Sequence, residues 1–100
     1  MHRLSAICLF GAIFLFAQDW QTATSLPAVD LGGLTPAQQT KALRVMRGQG
    51  CTCGCGMKIA ECRVKDPSCA YSKSLASVMV GAIQNGKTEA GAIAEAKASK

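Results

Sequence analysis

The feature that most constrains this chain is a cysteine-rich segment in its middle. Three thiols occupy alternate positions in Cys51-Thr52-Cys53-Gly54-Cys55, and two more follow at Cys62 and Cys69. Glycines lie beside and between the first three cysteines, so the backbone there can bend tightly and several sulfur atoms can converge. The segment therefore predicts a site made of sulfur atoms, and the rest of the sequence narrows what kind of site it is.

The first residues have the pattern of a secretory signal peptide. Met1-His2-Arg3 is positively charged, and Leu4 to Ala17 is an unbroken run of apolar and small residues. That run is shorter than the roughly twenty residues that cross a bilayer, and it fits a signal-peptide core. The small-x-small pattern Ala23-Thr24-Ser25 predicts cleavage after Ser25. The alternatives are an uncleaved membrane anchor and a buried core helix.

Export would place the protein in the periplasm or outside the cell, where disulfides are the default state of cysteines. Cleavage would remove Cys8 together with the signal peptide, and no membrane span is expected in the chain that remains. The chain that remains has few large side chains and buries too little apolar surface to be very stable alone, so cross-links or a metal are expected. The remaining thiols, called the cysteine cluster below, are Cys51, Cys53, Cys55, Cys62 and Cys69.

The scarcity of histidine excludes several kinds of site, since His2 is the only one. After export no Cys-His or Ser-His pair can activate a nucleophile, and any zinc site would consist of thiolates alone. Nucleic-acid binding is not expected either, although the formal net charge is +5. Tyr71 is the one aromatic residue that would remain after cleavage, and no aromatic residue that could stack on bases is interleaved with the charges. The excess of basic over acidic residues predicts a solvated surface. The alternative is that these residues bind an anionic partner or a membrane surface.

A helix is predicted ahead of the cysteine cluster and a short one within it. Thr35 offers an N-cap, Pro36 suits the first helical position, and Gly48 is a stop signal. Leu26 to Leu34, in front of this helix, contains proline and glycine and reads as a linker. Met57 to Arg63 consists of helix-forming residues and predicts a short helix after the first three cysteines.

Two further helices are predicted to form an antiparallel hairpin. Ser72 or Ser74 can cap a helix with apolar residues at helical spacing, which ends at Asn85-Gly86, and Thr88 can cap the last helix. The apolar face of that last helix is expected at Ala90, Ile93, Ala94 and Ala96. The fold class is therefore all-α, a small three-helix bundle with a cysteine-rich loop and a short helix between the first and second main helices. The expected organisation is a signal peptide at 1–25, a linker at 26–34 and a cysteine-rich helical domain at 35–100.

Three chemistries compete for the sulfur atoms of the cysteine cluster. They can form structural disulfides, bind zinc or Cu(I), or provide a redox-active pair that exchanges with a partner thiol. Cysteines two positions apart bridge each other only with strain, so the first three are expected to pair mainly with Cys62 and Cys69. If Met57 to Arg63 is helical, Cys55 lies just before its N-terminus, where the helix dipole and Lys58 favour a thiolate nucleophile.

A family resemblance favours the redox chemistry. From Cys51 onward the cysteine cluster is followed by Ile59-Ala60 and by the helix turn I-x-N-G-K-T at Ile83 to Thr88. This pattern resembles the CcmH-type periplasmic subunit of cytochrome c maturation, a three-helix bundle in which a cysteine pair handles the thiols of an apocytochrome. The resemblance implies a redox role for Cys51 and Cys55, which bracket the first three cysteines. This chain departs from the family's Leu-Arg-Cys-x-x-Cys motif, and Cys62 and Cys69 are additional.

The sequence thus predicts a small exported thiol-disulfide oxidoreductase that acts on the cysteines of partner proteins, with Cys51 and Cys55 as its catalytic residues. Cytochrome c maturation is the context that the resemblance implies. The alternative is a non-enzymatic binding or scaffold module, in which the whole cysteine cluster forms structural disulfides or binds zinc or Cu(I). The pairing of the thiols is left open.

Overall fold

A computed structural model describes residues 19–99, so the apolar run from Leu4 to Ala17 lies outside the described residues. Within 19–99 the chain is all-α and forms a small helical bundle, as predicted. None of the helices in that range is long and apolar enough to cross a membrane. The helices are α1 at Pro36–Gly48, α2 at Ile59–Lys65, α3 at Ala70–Gln84 and α4 at Glu89–Ser99.

The start of α1 follows from its capping residues. The Gln38 amide donates to the Thr35 hydroxyl at 3.2 Å, and the Thr35 amide donates to Gln38 Oε1 at 2.9 Å. This reciprocal pair satisfies two amides that a helix start otherwise leaves unpaired, with Pro36 in the first turn. The predicted first helix is confirmed, and its buried stripe consists of Ala42, Leu43, Val45 and Met46.

The helix α3 begins earlier than predicted. Its N-cap is Cys69, whose Sγ accepts a hydrogen bond from the Ser72 amide. Ser72 lies inside the helix and is buried, so the expectation that Ser72 or Ser74 caps the helix is wrong. A cysteine takes this position because its sulfur reaches the amide of the first turn as a serine oxygen would.

The turn between α3 and α4 is confirmed. Asn85 is the C-cap of α3, and Gly86 has φ +88, a left-handed conformation that glycine adopts without a steric penalty. Thr88 then accepts a hydrogen bond from the Gly91 amide on its hydroxyl at 3.0 Å, as an N-cap does. The two helices consequently lie against each other as a hairpin.

The buried face of α4 differs from the predicted one. Ala92 and Ala96 are buried, whereas Ala90 and Ala94 are exposed and Ile93 lies at the edge of the core. A helix that carries mostly alanine has little periodic signal, so its rotation is decided by contacts outside the helix. One such contact is the ion pair between Arg44 of α1 and Glu89 at the start of α4.

The segment expected to be a linker packs against the bundle. Leu26, Leu31 and Leu34 are 5%, 9% and 6% exposed and belong to the hydrophobic core. The Gln39 side-chain amide donates to the carbonyl oxygens of Leu31 and Leu34, at 3.0 and 3.3 Å. Residues 26–34 therefore cover one side of the helices and add to the core.

Candidate functional site

A closed loop carries the first three cysteines. The Cys51 amide donates to the Met57 carbonyl at 2.9 Å, and the Ile59 amide donates to the Gln49 carbonyl at 2.8 Å. These bonds form an antiparallel bridge between Gly50 and Lys58 at the base of the loop. The loop connects α1 directly to α2, and it brings the sulfurs of Cys51 and Cys53 close to that of Cys69, the N-cap of α3.

Four sulfur atoms of the cysteine cluster converge. The Sγ atoms of Cys51, Cys53, Cys62 and Cys69, called the four-sulfur group below, all lie within 4.8 Å of one another. A tetrahedral zinc ion with bonds of about 2.3 Å holds its sulfurs about 3.8 Å apart, so a small contraction brings the group to that size. Two of the sulfurs come from the loop, one from α2 and one from the N-cap of α3, so the group joins three parts of the fold.

The four-sulfur group is shielded from solvent on the side of the helices. Cys62 is 0% and Cys69 is 9% exposed, and Cys51 is half-buried. Cys55 is exposed and stands outside the group. The structure therefore brings together four thiols of the predicted cysteine cluster and separates Cys55 from them.

Cys55 is nevertheless connected to the group through a disulfide with Cys53. The expectation that the first three cysteines pair mainly with Cys62 and Cys69 is wrong for this pair, since Cys62 and Cys69 are free thiols. Gly54, between the bonded cysteines, has φ +86 and turns the backbone so that their Cα atoms are 5.5 Å apart. That separation is within the range usual for disulfides.

The two buried thiols of the group differ in acidity. The Ser72 amide donates to Cys69 Sγ at 3.5 Å, and this bond lowers the pKa of the Cys69 thiol to about 7. Burial raises the pKa of the Cys62 thiol to about 11, with the neighbouring Cys69 and Cys51 thiols adding to the rise. Cys69 is thus the member of the pair that loses its proton first.

The sulfur at a helix N-terminus is therefore that of Cys69. The helix α2 begins at Ile59 with Lys58 as its N-cap, so Cys55 lies in the loop and does not precede the helix directly. The positional reason for choosing Cys55 as a nucleophile is corrected accordingly. The catalytic roles of Cys51 and Cys55 stay a prediction. The sequence did contain a signal for this role, because Cys69 stands shortly before the helix that was predicted to start at Ser72 or Ser74. Serine is the more usual N-cap residue, so the two serines were expected to cap that helix.

A buried arginine beside the group was not anticipated. Arg63 is 0% exposed and donates from Nε to the Ser72 hydroxyl at 2.9 Å and from Nη2 to the Cys69 carbonyl at 3.0 Å. The same side chain donates to the carbonyls of Pro27 and Pro67, at 3.0 and 2.8 Å. Every one of these acceptors is neutral.

Arg63 takes no part in the ion pairs of residues 19–99, which join Arg44 to Glu89, Lys65 to Glu61 and Lys87 to Glu95. A buried charge is normally balanced by an opposite charge nearby. Among the groups that lie close to Arg63 along the chain or through its hydrogen bonds, those that can carry a negative charge are the Asp66 carboxyl and the thiols of Cys62 and Cys69. A thiolate formed in this part of the core would thus have a positive charge in its neighbourhood.

No protein-family model, curated protein or solved structure matches this chain. The resemblance to CcmH-type subunits therefore stays a prediction, and the site has to be interpreted from its own geometry. That geometry defines a cysteine cluster that can hold a metal ion or form disulfides.

Proposed function

We propose that this protein is a metal-binding module that holds one zinc ion with the thiolates of the four-sulfur group. The observation that carries the proposal is the convergence of four sulfurs from separate parts of the fold to within 4.8 Å. Four thiolates around one position are the ligand set of closed, structural zinc sites. Cu(I) also prefers thiolates and is the alternative ion.

The buried charge of Arg63 supports a metal–thiolate centre over a set of disulfides. A zinc ion with four thiolates has a net negative charge, which a neighbouring guanidinium stabilises in a medium of low dielectric constant. Disulfides are neutral and would leave the carboxyl of the exposed residue Asp66 as the negative group beside the buried Arg63. The arrangement around Arg63 therefore suits four thiolates better than two bridges.

The composition of the core supports a stabilising role for the metal. The largest fully buried apolar side chains of residues 19–99 are those of Met46, Ile59, Met79 and Ile83, and the helix α4 contributes only alanines to the buried set. So small a core provides little free energy of folding, and small domains commonly add a metal or cross-links. One ion would connect the cysteine loop, α2 and α3.

Thiol-disulfide exchange with a partner protein is the second candidate, and the Cys53–Cys55 disulfide favours it. Cys55 is exposed, so a thiolate of a partner can reach its sulfur. In this function a partner thiolate would attack Cys55 and expel the Cys53 thiolate, while Cys51, to which the family resemblance gives a redox role together with Cys55, would be a free thiol beside them. The partner would be an exported protein thiol, and an apocytochrome is the partner that the family resemblance implies.

A metal titration separates the two functions. The reduced full chain is titrated with Co²⁺ and then with Zn²⁺, and native mass spectrometry counts the bound ions. We expect one ion per chain and the intense charge-transfer absorption of cobalt–thiolate bonds. Cys51→Ser and Cys62→Ser should weaken binding strongly, whereas Cys55→Ser, the matched control outside the four-sulfur group, should bind as the parent chain does.

A reduced chain that binds neither ion, or a Cys62→Ser variant with unchanged affinity, contradicts the metal-binding function. Rapid exchange with a model dithiol that is abolished by Cys55→Ser, in a chain whose reduced form binds neither ion, would instead favour the second candidate.

A further inference from the structure

We infer that Cys55 controls metal release, by withdrawing Cys53 from the four-sulfur group as a disulfide. The inference rests on the proposed function and adds its regulation. Cys53 is the residue that makes it necessary, because its sulfur lies within 4.8 Å of the other three sulfurs and is also bonded to Cys55. A disulfide sulfur has no thiolate charge to give to a metal, so the two roles of Cys53 exclude each other.

The loop allows Cys53 to change partners without dismantling the rest of the site. Gly54 and Gly56 flank Cys55 with φ angles of +86 and +76, so Cys55 is held at a tight reversal of the chain. The hydrogen bond from the Cys51 amide to the Met57 carbonyl closes the loop outside this reversal. Cys62 and Cys69 lie on helices. A switch between Cys53 and Cys55 can therefore occur at the loop tip alone.

The oxidant for the switch is a small disulfide, R–S–S–R, of the class to which oxidised glutathione belongs. The exposed Cys55 loses its proton to solvent and attacks one sulfur, which forms a mixed disulfide and expels the first RS⁻. The Cys53 thiolate then leaves the metal and attacks the sulfur of Cys55, which forms the Cys53–Cys55 bond and expels the second RS⁻. Two electrons pass from the two cysteines to R–S–S–R.

The metal is left with three thiolates, from Cys51, Cys62 and Cys69. Loss of one thiolate ligand opens the site and lowers its affinity, so the ion passes to a competing ligand. A dithiol reverses the reaction, since it reduces the Cys53–Cys55 disulfide and restores the fourth thiolate. Cys55 thus acts on the metal although it is not one of its ligands.

The test measures zinc release from the reduced, zinc-loaded full chain. Oxidised glutathione is added in excess together with a chromogenic zinc indicator. The parent chain should release its zinc as the Cys53–Cys55 disulfide forms, and peptide mapping should locate that bond. Cys55→Ser should bind zinc with the parent affinity, and its rate of zinc release should be lower than that of the parent chain by at least about tenfold. Thr52→Ser, a conservative change at an exposed position of the same loop, should behave as the parent chain does.

Two outcomes would overturn the inference alone. One is a Cys55→Ser variant that binds zinc and releases it at the parent rate, and the other is zinc release accompanied by a disulfide that does not include Cys55. A parent chain that binds no zinc would overturn the proposed function itself, and this inference with it.

Discussion

Arg63 of α2 donates a hydrogen bond from Nη2 to the carbonyl oxygen of Cys69, 3.0 Å away, at the residue that caps α3. The bond fixes the end of one helix relative to the start of the next. Because Cys62 precedes Arg63 in the chain, the same contact sets the position of the Cys62 sulfur relative to the Cys69 sulfur. A buried guanidinium thus determines the geometry of half of the four-sulfur group.

Replacement of Arg63 should therefore affect both folding and metal binding. Arg63→Met removes the donor of the buried Cys69 carbonyl and Ser72 hydroxyl and of two part-buried proline carbonyls, and we expect the free energy of unfolding to fall by about 2–4 kcal/mol. Urea denaturation of the metal-free chain with its Cys53–Cys55 disulfide intact measures this change. Zinc affinity should also fall, and Arg63→Lys should recover part of it because the positive charge returns. Arg44→Met, which removes an exposed ion pair with Glu89, should change either quantity little. Equal stability of Arg63→Met and the parent chain would contradict the prediction.

Removal of both metal and disulfides should unfold much of the chain. The reduced protein treated with a chelator has neither a bound metal nor a disulfide, and we expect its free energy of unfolding to fall by several kcal/mol. Thermal unfolding followed by far-UV circular dichroism measures the effect, with the zinc-loaded chain as the reference. An unchanged melting temperature would mean that helix packing alone supports the fold.

The thiols of Cys69 and Cys62 should react over different pH ranges in the metal-free, folded chain whose Cys53–Cys55 disulfide is intact. The thiolate is the reactive form, and the Ser72 amide lowers the pKa of Cys69 to about 7, whereas burial raises that of Cys62 to about 11. Alkylation of Cys69 should therefore accelerate as the pH rises through about 7, while Cys62 stays slow until far higher pH. Timed iodoacetamide labelling followed by peptide mass spectrometry measures both rates. Parallel pH profiles would contradict the assignment.

The leucines of residues 26–34 should contribute to stability as core residues do. Leu34 is 6% exposed, so Leu34→Ala should lower the free energy of unfolding by about 2–4 kcal/mol. Tyr71→Ala, at a side chain that is 59% exposed, is the control and should have little effect. Chemical denaturation measures both variants. Similar stability of the two would show that the segment is a linker after all.

The cleavage prediction can be checked by the mass of the exported chain. Cleavage after Ser25 leaves Leu26 as the first residue and removes the carbonyl of Ala23, to which Arg47 donates at 2.6 Å. Trp20 and Ala23, which pack partly against the core, would go with it. Intact mass and N-terminal sequencing identify the first residue. A chain retained in the membrane at full length would refute the signal peptide.

Local signals allowed the helices to be predicted, because the residues that start and stop them act within one turn. Thr35 with Pro36, and Gly86 with Thr88, are examples. The rotation of α4 could not be predicted, since alanines at Ala90 and Ala92 have the same side chain and only contacts with α1 and α3 distinguish them.

The members of the candidate site were predictable, but their arrangement was not. Spacing identified every thiol of the cysteine cluster, while the separation of Cys55 from the four-sulfur group depends on how the loop folds back at Gly54. The burial of Arg63 could not be predicted from the sequence. Its side chain donates to the carbonyl groups of Pro27 and Pro67, which approach it only in the folded chain.

The antiparallel bridge between Gly50 and Lys58 also bears on the order of folding. All four sulfurs of the group come from residues 51–69, so the site is built from contacts that are close in sequence. Such contacts form faster than those that require long loops to close. If the four-sulfur group binds a metal as proposed, an unfolded chain would capture the ion before residues 26–34 and α4 have docked, and the loaded centre would be the nucleus on which the rest of the bundle assembles.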